Sequence, residues 1–131
     1  ELTQHMADIE LRKAAQTLRS IWVLGNEYLQ EAAPWTAIKT DEARAAVIVR
    51  TGLALVALFA RLSAPVIPQS SAIMAAAVGE GDLMSWPTAD AAAELSRLES
   101  GRPVTVPPVL FAKIEDERIA EWTARFGGSE A

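Results

Sequence analysis

The sequence predicts an all-α fold, a helical bundle of four to five helices closed by a short extended C-terminal segment. Two observations carry the helices. Apolar residues recur at spacings of three and four over long stretches, and prolines fall between those stretches rather than inside them. A third sets the ending apart, because Pro103, Pro107 and Pro108 crowd a segment too proline-rich for a helix.

The first helix is read from Leu2, Met6, Ile9, Leu18, Ile21, Trp22, Leu24, Tyr28 and Leu29, with Ala14 and Ala15 filling the gap. One long amphipathic helix is expected, ending near Ala33 because Pro34 disfavours helical geometry in the residue before it. Asp41 suits an N-cap, with Glu42 favourable at the positive helix end. The second helix then runs to about Leu62. Its centre, AAVIVRTGLALVALFARL, is apolar on most faces and fits the middle of a bundle. SAPVIP is a proline-punctuated corner, followed by a small, Ala-rich third helix over 69–78. GEGDLMSWP is a loop around Trp86. Thr88 or Asp90 is the expected cap of a fourth helix, TADAAAELSRLES, closed by Gly101. Residues 102–114 read as an extended return with a short strand or edge pair. EDERIAEWTARF is helical again, and 127–131 is a fraying tail.

At 131 residues the chain fits one domain, large enough to bury a core. It contains no cysteine and a single histidine, His5. Disulfides, thiol catalysis, thiolate metal sites and a His-pair zinc site are therefore excluded. No catalytic and no metal-binding residues are predicted. The start is amphipathic and charged rather than apolar, so no secretory signal is read. The longest apolar run, 52–60, is far short of the roughly 20 residues that span a bilayer. A cytoplasmic protein without a membrane partner is the expectation. Residues 1–62 hold seven Lys/Arg and seven Asp/Glu, whereas 63–131 hold five and ten, which accounts for the whole net charge of −5. A domain that bound nucleic acid by phosphate neutralisation would be basic. Any nucleic-acid recognition here must rest on a few base-specific contacts, with the attraction supplied elsewhere.

The run NEYLQEAAPWTAIK, from Asn26 to Lys39, places an amide, a tyrosine, a Pro-Trp break and a lysine at a helix end and the turn after it. It suits a rigid helical platform that presents polar side chains to something docked at its end. In context, LGNEYLQEAAPWTAIK resembles the signature of the anticodon-binding domain of methionyl-tRNA synthetase. LSAPVIPQSSAIM is similar to the family's proline corner, DLMSW to its loop tryptophan, and PPVLFAKIEDERI to its C-terminal return. Four motifs in the family's order cover roughly residues 1–120.

The resemblance implies that 1–131 is an α-helical anticodon-binding domain lying C-terminal to a class I catalytic domain. Its partners would be that catalytic domain and the CAU anticodon loop of methionine tRNA, with no DNA. It implies that Asn26 reads the anticodon and that Trp86 stacks on its first base, with Tyr28 and Gln30 as further anticodon-binding candidates. The chemistry agrees, since an Asn amide sets a donor beside an acceptor for a splayed-out base, and aromatic stacking on an unpaired base is worth about 1–3 kcal/mol. Where many family members carry a basic residue after the Asn, this chain has Glu27, so Arg19, Lys39 or Arg44 is the candidate source of positive charge. ATP and Mg²⁺ would belong to the catalytic domain. This chain holds no cofactor and none of the class I active-site motifs, which need two histidines close together or two lysines close together.

Several of these residues have structural readings as well. Asn26 reads equally as a cap or a solvent-facing residue, and Trp86 as a core anchor of its loop. Trp35 is expected to pack the first helix corner, Trp22 and Tyr28 to face the core, and Trp122 to pack the last helix. His5 is expected to be incidental on an exposed first turn. The cluster Glu115, Asp116, Glu117 reads as a helix start. Two competing classes remain: a standalone helical protein-interaction module, and the anticodon domain of another class I synthetase.

Overall fold

The computed structural model describes residues 1–128. Its elements are α1 (Leu2–Ala7), α2 (Leu11–Ala32), α3 (Pro34–Ala37), α4 (Glu42–Ser63), α5 (Pro68–Val78), α6 (Ala91–Leu95) and α7 (Asp116–Phe126). No strand occurs among the described residues. The expected strand or edge pair at 102–114 is therefore simple extended chain, tied back by one backbone hydrogen bond from the Thr105 amide to the Ala77 carbonyl at 2.9 Å. Of the expected tail, 127 and 128 are described, while 129–131 lie outside the described residues.

The expected long first helix is broken in two. Ile9 takes a left-handed conformation with φ of 59°. The Ile9 amide donates to the Met6 carbonyl and the Glu10 amide to the His5 carbonyl, at 3.3 and 2.9 Å. This is the Schellman closure of a helix, with isoleucine where glycine is usual. Glu10 also holds the His5 ring at 2.8 Å and Lys13, so His5 is half-buried in a polar clasp rather than incidental. The break folds α1 back on α2 and buries Leu2 against Ala14 and Leu18. Periodicity continues through the break, which is why it does not show in the spacing of apolar residues.

α2 ends where Pro34 requires, with Ala33 left-handed at φ of 42°. Pro34 then opens the one-turn helix α3, its missing N–H costing nothing at that position. Asp41 caps α4 as predicted, its carboxylate accepting from the Arg44 amide at 2.9 Å. By length and composition α4 alone among the described helices is apolar enough to cross a membrane. It packs instead against α2, α3, α5 and α6, and most of its buried residues are small (Ala45, Gly52, Ala54, Ala57, Ala60 and Ser63). Those residues let neighbours approach closely. Leu29 of α2 lies against Gly52, and the Phe59 ring lies over Gly25. Phe59 also stacks on Trp22, with centroids 5.9 Å apart and planes 18° from parallel.

α5 begins with Pro68 after the proline corner and ends at Gly79, whose φ of 70° closes a second Schellman turn through the Glu80 amide and the Ala75 carbonyl. Asp90 rather than Thr88 caps the fourth predicted helix, by accepting from the Ala92 and Ala93 amides. That helix is one turn long, shorter than predicted. Its chain leaves to bury Leu98 against Ala57 and Val78. α7 also differs from expectation. None of its residues is buried, and Trp122 is 42% exposed, with the Arg118 guanidinium 5.5 Å from its ring centre. Its acidic first turn and basic last turn suit the helix ends, but it buries no residue on the bundle.

Candidate nucleic-acid interface

Trp86 sits in the loop between α5 and α6, and the local sequence builds that loop from its carboxylates. Asp82 accepts from the amides of Met84 and Ser85 at 2.9 and 3.0 Å and from the Ser85 hydroxyl. The Ser85 hydroxyl, followed by the two amides, holds the Asp82 carboxyl below its ordinary range. Glu80 receives a forked contact from Arg97 at 2.9 and 3.1 Å and the Asp82 amide at 2.9 Å. Burial opposes the charge on Glu80, but these donors outweigh it and keep its carboxyl low.

The second tie comes from the core. Arg61 of α4 is 2% exposed. Its Nε donates to the Ser85 carbonyl at 3.0 Å, and Nη1 pairs with the Glu94 carboxylate. The other Glu94 oxygen accepts the Thr88 amide at 2.8 Å. Burial opposes the charge on Glu94, yet the Thr88 amide and the Arg61 guanidinium prevail and hold it below the usual carboxylate range. The Trp86 ring is half-buried on the cluster of Leu2, Ala14 and Leu18, and its indole N–H donates to the Thr3 hydroxyl at 2.9 Å. An aromatic ring held by its edge on a helical platform keeps part of its surface open to a stacking partner.

The other predicted residues are distributed round α2. Asn26 is exposed, and its side chain makes no hydrogen bond to another described residue. At about 100° per residue, Arg19, Asn26 and Gln30 share one flank of the helix. Tyr28 is half-buried and lines a groove of about 500 Å³ with Leu24, Leu55, Leu58 and Thr88. The chain leaving Trp86 thus runs along the flank of Leu24 and Tyr28, each about 160° round the helix from Asn26. The Trp86 ring itself packs at the level of Ala14 and Leu18, about 12–18 Å along the helix axis from Asn26. The fold therefore sets Asn26 and Trp86 apart, on different flanks and at different levels of α2. Glu27, also exposed, points away from the bundle between the two flanks. Arg44 lies at the far end of α4 from Arg61, about 25 Å along the helix axis, and Lys39 precedes that same end. Neither can serve a phosphate next to Trp86. Trp35 is 54% exposed and lines a second groove with Ile38, Leu53 and Leu98, so it packs its corner only in part. Arg61 and Glu94 were not singled out by sequence; an arginine directly after the apolar run 52–60 was the available signal.

The architecture is that of an all-α recognition domain with an aromatic group on a clamped loop and no constellation of catalytic side chains among the described residues. The chain belongs to the family of the anticodon-binding domain of methionyl tRNA ligase, whose model matches residues 1–131. It is similar to methionine–tRNA ligases of Caulobacter vibrioides strain NA1000, 64% identical over 99% of this chain, and Caulobacter sp. strain K31, 62% identical over 99%. The ligase of Ruegeria sp. strain TM1040 is 55% identical over 98%. The chain spans 22–23% of the length of these relatives. No solved structure matches it significantly.

Proposed function

We propose that this domain recognises the CAU anticodon of methionine tRNAs as the C-terminal part of a methionine–tRNA ligase, and that Trp86 stacks on the first anticodon base. The supporting observation is the clamped, half-open indole, tied to Thr3 at its edge and to the bundle through the backbone on both sides. Asn26, with Gln30 and Arg19, offers a separate polar flank that contacts RNA independently of Trp86, and Tyr28 supports the groove beside the Trp86 loop. ATP, Mg²⁺ and methionine belong to the catalytic part of the ligase, and the net charge of −5 means that much of the electrostatic attraction for tRNA comes from there. A cytoplasmic location follows from this role in translation.

The rest of the ligase chain is the partner of the C-terminal arm. Phe111, Ile114, Ile119, Trp122 and Phe126 are all exposed, and Ile119, Trp122 and Phe126 recur at helical spacing on α7. An amphipathic helix that buries nothing on its own bundle fits a docking site on another part of the same enzyme.

The test is aminoacylation by the full ligase carrying Trp86→Ala. A raised KM for tRNA, about tenfold for the removal of one stacking interaction, with unchanged methionine-dependent ATP–pyrophosphate exchange, supports the reading. Equal losses in both reactions point to misfolding and reject it.

A further inference from the structure

Arg61 is the only buried charged residue among those described. Burying an ion pair rarely adds stability relative to well-packed apolar side chains of similar volume, because desolvation offsets the attraction. A methionine or leucine at this place in the last turn of α4 would serve packing as well. What the pair does provide is geometry. Arg61 reaches 24 residues along the chain to the Ser85 carbonyl and 33 to Glu94. Glu94 in turn takes the Thr88 amide at 2.8 Å and the Thr88 hydroxyl at 3.3 Å. The two anchored backbone groups, the carbonyl of 85 and the amide of 88, bracket Trp86, which lies in no helix or strand of its own.

We propose that Arg61 and Glu94 are positioning residues for Trp86: the buried pair holds the backbone on both sides of the tryptophan, so that its ring is already posed for stacking before tRNA binds. The inference rests on the reading of Trp86 as the base-stacking residue. Neither partner needs to touch RNA. Their contribution is preorganisation, which lowers the ordering cost of binding without adding a contact. The Thr3 hydroxyl completes the pose by holding the indole edge, and the Glu80–Arg97 pair fixes the loop's start.

The experiment is a double-mutant cycle in the full methionine–tRNA ligase. Arg61→Met and Glu94→Gln are made singly and in a Trp86→Ala background, and tRNA KM, kcat and ATP–pyrophosphate exchange are measured for each. The Glu94→Gln side chain keeps an acceptor for the Thr88 amide but gives up the charge that pairs with Arg61. Expected is a rise in tRNA KM of about three- to tenfold for each single variant, set by how far the loosened loop weakens stacking. kcat and pyrophosphate exchange stay unchanged. In the Trp86→Ala background the same changes produce no further rise, because residues that act through one contact do not add. The 19F resonance of 5-fluorotryptophan at position 86 should shift or broaden in the free variants.

Losses that multiply with Trp86→Ala, or an unchanged KM and an unchanged Trp86 resonance, overturn the positioning role. If Arg61→Met does not fold, the Glu94→Gln cycle decides. If Trp86→Ala itself leaves the tRNA KM unaltered, the stacking reading falls and takes the positioning role with it. A raised KM for Trp86→Ala beside silent Glu94→Gln and Arg61→Met variants removes the inference alone.

Discussion

Gly25 of α2 lies under the edge of the Phe59 ring of α4 so closely that a Cβ would stand 2.7 Å from Phe59 Cε2 and closer still to Cζ. The ring cannot yield freely, because its face is stacked on Trp22, whose indole N–H donates to the buried Ser63 hydroxyl at 3.2 Å. A helix-favouring substitution should therefore fail at this helical position. Gly25→Ala gains helix propensity of about 1 kcal/mol but overpacks the interface at a cost of about 1–3 kcal/mol. The expected outcome is net destabilisation, read as a lower urea midpoint. Phe59→Leu in the same chain should recover part of it, and a more stable Gly25→Ala variant would show that the two helices separate easily.

Ile9 presents the opposite case. It is 77% exposed and held at φ of 59°, where a β-branched residue is strained. The left-handed conformation costs about 1–2 kcal/mol for a non-glycine residue, and removing this side chain sacrifices little packing. Ile9→Gly should raise stability by about 1 kcal/mol after the added chain entropy of glycine is counted. Thermal unfolding of the pair checks it, with an unchanged or lower midpoint as the contrary result.

Two buried serines separate by their partners. Ser63 accepts from Trp22, whereas the Ser71 hydroxyl has no hydrogen-bond partner among the described residues. Ser63→Ala should cost about 1–3 kcal/mol by stranding the indole N–H, and Ser71→Ala should be neutral or stabilising. Denaturant midpoints for the two variants test the contrast; equal losses would contradict it.

Stability should fall in acid through the ion pairs of the Trp86 loop. The Glu80 and Glu94 carboxyls are held below 4.5, their ordinary value. In the unfolded chain they regain that value, so the unfolded state binds more protons as pH drops. Their contribution is fully present well above pH 4.5 and disappears as pH falls through the lower folded values. Glu94→Gln should lower stability at neutral pH, leave it nearly unchanged in acid, and so flatten that acid limb of the stability curve. An acid limb as steep as in the parent chain would assign the sensitivity elsewhere.

Because Asn26 and Trp86 stand on different flanks and levels of α2, the proposed contacts of the two with tRNA should be independent. Any rise in tRNA KM caused by Asn26→Ala should add to that of Trp86→Ala within about 0.5 kcal/mol, as expected of distant sites. Aminoacylation by the two single variants and the double variant measures it. A coupling well beyond that margin would mean that both residues grip one base.

Much of the fold was legible along the chain because its signals are local. Pro34, the Asp41 cap, the proline corner and Gly79 act on their immediate neighbours, and the apolar spacing of α2 and α4 follows from helix geometry. Even the family could be read from four short motifs in order. The break at Ile9 was not legible, because it leaves the apolar spacing intact and depends on Glu10 clasping His5 and Lys13. Nor was the freedom of α7, since its amphipathic pattern is the same whether its partner is this bundle or another part of the ligase. The site divides in the same way. A tryptophan in a Gly- and Asp-bounded loop is visible in the sequence, but its neighbours are not. Thr3, Arg61 and Glu94 meet around Trp86 across separations of 83 and 33 residues, and no local spacing encodes such contacts. Only the packing of α1, α2 and α4 decided that Trp86 stands with them and that Asn26, near it in the motif's logic, lies on a separate flank.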